Sequence, residues 1–167
     1  MQKDTETHGA ETLAQTVIPR GEFIAIVAGL MALNALAIDI LLPAFPNITA
    51  AYQIQDNEVQ FLLLSYVLGF GGAQLFFGPI SDRFGRRIPL FAGLAVYIVC
   101  AIAGSLAPTF EAVLAFRFVQ GLGAASTRVI ALAAVRDTHS GRAMASTMSL
   151  VMMVFMVIPI IAPFVGQ

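Results

Sequence analysis

GPISDRFGRR, residues 78–87, is the stretch on which the fold turns. It carries three arginines and one acid, and it separates two long runs, Val59–Ile80 and Ile88–Ala107, that contain no charged residue. Each run reaches the roughly 20 mostly apolar residues that a helix needs to cross the hydrocarbon core. The stretch therefore reads as a short connection between two membrane spans. Gly78 and Gly85 suit a tight turn and close approach of the chain. Arg83, Arg86 and Arg87 suit the anionic cytoplasmic leaflet. Asp82 is the odd member, because topology alone asks for cations. It reads either as a surface partner of Arg83 or Arg86, or as a latch that docks on a helix N-terminus or a neighbouring arginine in one conformational state.

The same pattern continues outward. Phe23–Leu42, Ala112–Val135 and Ala143–Val165 are also long and apolar, giving five predicted spans joined by short polar loops. The runs do not alternate as barrel strands would, so an all-α membrane bundle is expected. Composition agrees: 58% of the 167 residues are hydrophobic and only 11% are charged, against about 25% for soluble domains. The net charge of −1 gives no overall attraction to nucleic acid. Cys100 is the single cysteine, and His8 and His139 lie far apart in polar stretches, so no disulfide or metal cluster is expected.

Lys3, Arg20, Arg83, Arg86, Arg87, Arg136 and Arg142 fall on one side of this arrangement, and the loops Pro43–Glu58 and Pro108–Glu111 carry no Lys or Arg. By the positive-inside rule the N-terminus is cytoplasmic. Residues 1–21 lack a secretory signal pattern and read as a cytoplasmic tail. Pro43 and Pro46 are expected to end the first span, and Asp56 to cap the second. The sequence stops at Gln167, at the outer end of the fifth span, which reads as a truncation point.

Ionisable groups inside the bilayer are costly and are functional candidates. Asp39 in the first span and Arg117 in the fourth both fall toward the outer side, and they are expected to approach each other directly or through water. Such a pair is either a static structural bridge or a mobile pair in which protonation of Asp39 releases Arg117. Arg128 follows Arg117 by about three helical turns, so the two share a face with Gln120, Gly121 and Ala124. Arg128 either lines a cavity or snorkels to the inner interface. Asn34 and Tyr66 are further cavity candidates, and Met148, Met152, Met153 and Met156 suit packing or an apolar pocket. Gly69, Gly71, Gly72 and Ala73, with Gly121, Gly123, Ala124 and Ala125, allow close helix contact. Pro159 and Pro163 are expected to bend the fifth span.

With these residues in view, the chain resembles the major facilitator superfamily. The G-x-x-x-D-R-x-G-R-R pattern at Gly78–Arg87 is similar to that family's hallmark loop, with Ile80 where Leu is common. Arg117-Phe-Val-Gln-Gly-Leu-Gly-Ala-Ala125 resembles its R-x-x-Q-G-x-G-A-A motif. Ala162-Pro163-Phe-Val-Gly166 resembles an antiporter signature G-P-x-x-G-G, with Ala162 and Gln167 departing from it. Asp39-Ile-Leu-Leu-Pro43, with Arg136-Asp137, is similar to the drug:proton antiporter branch, nearest to the bicyclomycin/chloramphenicol-resistance (Bcr/CflA-type) transporters.

The resemblance implies the first five helices of a twelve-helix fold, with residues 22–167 a partial first six-helix half. It also implies a substrate cavity shared with a C-terminal half, and a bacterial inner-membrane location. The implied activity is proton-coupled efflux of drugs or small amphipathic molecules by alternating access. The implied roles are proton coupling for Asp39 and Arg117, gating for the Gly78–Arg87 loop, and an antiporter bend at Pro159, Pro163 and Gly166. No nucleotide-binding P-loop, nucleophile with a base, or metal-binding helix is present in the sequence, so a secondary transporter without cofactor is expected and not an enzyme. A half-length, non-transporting membrane scaffold or sensor is the reading from a different class, and a carrier of another solute differs only in substrate.

Overall fold

A computed structural model describes residues 19–138 and 140–165, with side chains for all of these except residues 20 and 158–165. Every regular element among the described residues is helical. α1 (Arg20–Asp39) leads through a 3₁₀ turn (Leu42–Ala44) into the short α2 (Phe45–Tyr52). Four long helices follow: α3 (Phe61–Phe84), α4 (Arg87–Ser105), α5 (Phe110–Thr138) and α6 (Gly141–Val165). The runs Gly21–Tyr52, α3, α4 and α5 are each long and apolar enough to cross a membrane. α6 is a 25-residue helix whose stretch with described side chains, Gly141–Val157, is apolar but shorter than a span.

The first helix ends at Asp39, ahead of Pro43 and Pro46, but the expected loop Pro43–Glu58 is partly helical: Pro43 stands in the first turn of the 3₁₀ element and Pro46 in that of α2. A proline there loses no hydrogen bond, because first-turn N–H groups have no intrahelical partner. Asp56 does not cap the second span, which starts at Phe61 after Gln60 and has no side-chain cap. Backbone turns close this approach instead, and the Glu58 carboxylate accepts the Gln55 N–H at 2.9 Å. Gln53, at φ 52°, ends α2 in the left-handed region.

α5 is the hub. It packs on α3 and α4 most extensively, and also on α1, while α6 packs chiefly on α1. Glycines make the closest approaches possible. A β-carbon at Gly121 would run into the Tyr66 carbonyl and stand 2.9 Å from the Phe70 nitrogen, and one at Gly69 would run into the Phe118 carbonyl. On the α4 side, a β-carbon at Gly123 would stand 2.6 Å from the Gly93 carbonyl oxygen. Small residues at crossings let backbones touch where lipid offers no hydrophobic drive.

The apolar contacts form two clusters. Val27, Ala28 and Met31 of α1 meet Ala131 and Val135 of α5 and Val151 of α6, with Met148 and Met152 packed against them. Met153 and Met156 face outward, so the methionines of α6 divide between packing and exterior. At the opposite end, Leu41, Val59, Leu62, Ala107 and Val113 form a second cluster roofed by α2, where the Tyr52 hydroxyl donates to the Ala107 carbonyl at 2.9 Å.

Candidate functional site

A cavity of about 640 Å³ opens between α1, α4 and α5 under α2. One wall is Leu33, Leu36 and Ala37 of α1 with Ile40 and Leu41 of the turn that follows it. Arg117 and Gln120 enter it from α5, and Tyr97 and Cys100 from α4. Arg117 is the only charged side chain in this apolar lining. Its Nη1 donates to the Ala37 carbonyl at 3.4 Å, and the phenols of Tyr66 and Tyr97 are its electrostatic neighbours. Tyr97 also donates to the Leu33 carbonyl at 3.4 Å and contacts the Gln120 side chain.

The expected direct pair between Asp39 and Arg117 does not form here, because the ion pairs among the described residues are confined to Arg86 with Asp82 and Asp137. Asp39 is not among the residues lining the cavity, whereas Ala37 and Ile40 on either side of it are. What reaches Arg117 from α1 is therefore backbone, not carboxylate.

The stripe shared by Arg117, Gln120, Gly121 and Arg128 is not one environment. Gln120 lines the cavity and Gly121 packs against α3. Arg128 is exposed outside the cavity, its guanidinium 5.9 Å from the Phe70 ring centre. Asn34 does not line this cavity either. It is buried at the junction of α1, α3 and α5, where the Tyr66 hydroxyl donates to Asn34 Oδ1 at 2.9 Å and Asn34 Nδ2 donates to Thr127 Oγ1 at 3.3 Å. Thr127 passes its own proton to the Ala124 carbonyl at 2.8 Å. Burial without partners would cost each of these groups, and the chain of bonds removes that cost while tying three helices together.

At the arginine-rich end, the connection is shorter than the sequence suggests. α3 continues through Phe84, so only Gly85 and Arg86 lie between the two helices. Gly85, at φ +81°, makes the turn. Gly78 does not: it sits inside α3, and a β-carbon there would meet nothing within 4 Å. Ser81 and Asp82 lie near the end of α3, with their side chains engaged locally. Ser81 Oγ donates to the Gly78 carbonyl and accepts from Arg86 Nη1, and Asp82 pairs with the same nitrogen at 2.7 Å. Arg86 Nε and Nη2 then reach Asp137 on α5 at 3.0 and 3.4 Å. The hydrogen bond to Asp137 raises the Arg86 guanidinium pKa above its ordinary value, as do the charges of both aspartates. Arg83 leans over the adjacent Phe84 ring, and Arg87 is exposed.

Tyr97, Thr127, Ser81 and Asp137 as a partner were not singled out from sequence. A signal existed for the tyrosine, since a phenol within an apolar span must find an acceptor. All three tyrosines donate to residues at least 32 positions away. Pro159 and Pro163 fall within the helical range of α6 with side chains outside the described residues. The tail before residue 19, His139 and Gly166 also lie outside them.

Comparison with known proteins accords with this architecture. The family model described as Major Facilitator Superfamily matches residues 27–167. The Uncharacterized MFS-type transporter YdgK of Bacillus subtilis (strain 168) is 35% identical over 144 residues, covering 86% of this chain and 36% of that protein. The Multidrug resistance protein MdtL of Escherichia coli O139:H28 is 35% identical over 145 residues, covering 87% of this chain and 37% of that protein. The chain thus spans little more than a third of the length of these relatives. Four apolar runs of span length among the described residues, three of them packed together through glycines, and a family match over most of the chain, make this a multi-pass integral membrane protein that belongs to the Major Facilitator Superfamily.

Proposed function

We propose that the chain is part of a secondary transporter that exports drugs or small amphipathic molecules across the bacterial inner membrane in exchange for protons. In this reading residues 22–167 form part of the first six-helix half, the N-terminus is cytoplasmic, and a C-terminal half completes the translocation path. The name of the relative MdtL supports drug efflux, and the likeness of Asp39–Pro43 and Arg136-Asp137 to the drug:proton antiporter branch supports the coupling ion.

The observation that carries the reading is Arg117. A half-buried guanidinium in an apolar cavity, held by one carbonyl and faced by two phenols, is expensive unless it has work that requires a charge. Asp39 is the acid of the first span, and in this conformation it makes no ion pair. Protonation of Asp39 would act by changing which helix face meets α5, with Arg117 as the group that responds. Arg86, bound to Asp82 and Asp137, serves as the gate contact between the α3–α4 turn and α5. Pro159, Pro163 and Gly166 supply the antiporter bend.

The test is efflux of a lipophilic cationic dye from cells expressing the protein from its own gene. Energised cells should exclude the dye, a protonophore should abolish exclusion, and Arg117→Ala and Asp39→Asn should each lower it at least tenfold with the protein still present in the membrane. Dye accumulation equal to that of cells without the gene would overturn the transport reading. Exclusion that survives the protonophore would overturn proton coupling alone.

A further inference from the structure

The cavity that holds Arg117 is roofed by a segment of the chain that is only lightly held. Ala44 of the 3₁₀ turn, with Ile48 and Tyr52 of α2, forms the roof. No residue of α2 is fully buried, although Phe45, Ile48 and Tyr52 pack partly on the cluster around Leu41 and Val59. Pro43 and Pro46, at the near end, have no N–H to tie the segment to α1. At the far end Gln53, at φ 52°, is a single left-handed residue between α2 and the turns that lead to α3. Two contacts of Tyr52 join α2 to the connection between α4 and α5. Its hydroxyl donates to the Ala107 carbonyl at 2.9 Å, and its ring centre lies 6.2 Å from that of Phe110. Beneath the roof are Arg117 and Cys100, the single cysteine of the sequence, 8% exposed.

From this arrangement we infer that α2 is a lid on the Arg117 cavity, hinged at Leu42–Ala44 and Gln53 and latched by Tyr52, and that its opening admits water to Arg117. A segment without a fully buried residue opens at lower cost than the long helices beneath it. The latch is one neutral hydrogen bond between membrane segments, weak enough to break often. The ring contact with Phe110 returns α2 to the same place. A guanidinium in an apolar pocket is costly when dry, and water entering under a raised lid relieves that cost. The lid therefore sets when Arg117 is hydrated. It opens toward the outer face if the N-terminus is cytoplasmic, which is the orientation proposed above. The lid itself does not depend on what the protein transports.

Cys100 lies under the lid and reports its opening. The protein, expressed from its own gene, is treated in right-side-out membrane vesicles with a membrane-impermeant maleimide. Mass spectrometry of the peptide carrying Cys100 gives the rate. The unaltered protein should react slowly. Tyr52→Phe keeps the ring and loses the bond, and should react about three- to fifteenfold faster, in proportion to the open population. Phe110→Leu, which weakens the ring contact, should also speed the reaction. Thr127→Val, which cuts a buried bond away from α2, should leave the rate unchanged. Equal rates for the unaltered protein and both latch variants overturn the inference. Acceleration by Thr127→Val equal to that by Tyr52→Phe also overturns it, because the bundle would then be loosening as a whole. Acceleration by the latch variants in inside-out vesicles alone supports the lid and overturns only the proposed orientation.

Discussion

α4 and α5 are adjacent spans with opposite fates. α4 is the more apolar of the two, yet only 17% of its most apolar stretch is buried, against 61% for α5. α5 carries Arg117, Gln120, Ser126, Thr127 and Arg128, and all but Arg128 lie within the bundle or its cavity. In water this order would be reversed. In lipid an isoleucine gains nothing by leaving the bilayer, so close backbone contact and polar pairing decide which helix goes inside. Gly121 and Gly123 let α5 lie against two helices at once, and Thr127 and Gln120 find partners there. α4 gives one helix face, marked by Gly93, Tyr97 and Cys100, and leaves Ile98, Val99 and Ile102 outside.

The contrast can be broken at its strongest point first. Gly121→Leu should cost about 3 kcal/mol or more, because the new side chain meets the backbone of Tyr66 and Phe70, which cannot move independently of α3. Gly71→Leu, with open space around it on the same helix α3, should be near neutral. Thermal unfolding in micelles, followed by circular dichroism, separates the two. Equal costs would mean that glycine serves the helices for some reason other than contact.

Tyr66→Phe comes next. It deletes the donor to Asn34 and should destabilise by about 0.6 kcal/mol, up to about 1.7, the range for hydrogen bonds between membrane helices. The same melting measurement decides it, and no change would show that the buried chain of bonds follows packing and does not direct it. A double-mutant cycle of Arg86→Gln with Asp137→Asn should give a smaller coupling, about 0.2–1 kcal/mol, since both side chains are partly exposed. That coupling should shrink at 1 M salt, where screening is nearly complete. Val99→Ala, at a site 63% exposed on α4, should stay within about 0.5 kcal/mol. A cost like that of a buried valine would place a partner on α4 where lipid is expected.

The ends of the long helices fall within a few residues of the apolar runs read from sequence. A run such as Ile88–Ala107 against the observed Arg87–Ser105 needs only apolar length to be recognised, and in a bilayer that length is a physical requirement. The family was legible because Gly78–Arg87 and Arg117–Ala125 resemble its motifs, and within the first of these Gly85 makes the turn at positive φ. Even here Gly78 misled, because helix α3 runs on through a glycine and a proline that would punctuate a soluble helix.

What sequence by itself determined is the set of properties each residue carries alone: helix, span, charge, and the need of every buried polar group for a partner. Which partner it finds was decided only by the tertiary structure. Asp39 and Arg117 looked matched by depth, yet no direct ion pair forms between them and the Ala37 carbonyl accepts from Arg117 instead. Arg86 found Asp137, 51 residues on, because α5 crosses both α3 and α4. Depth in the membrane can be counted along one chain, but rotation about a helix axis is fixed by the neighbours it packs against.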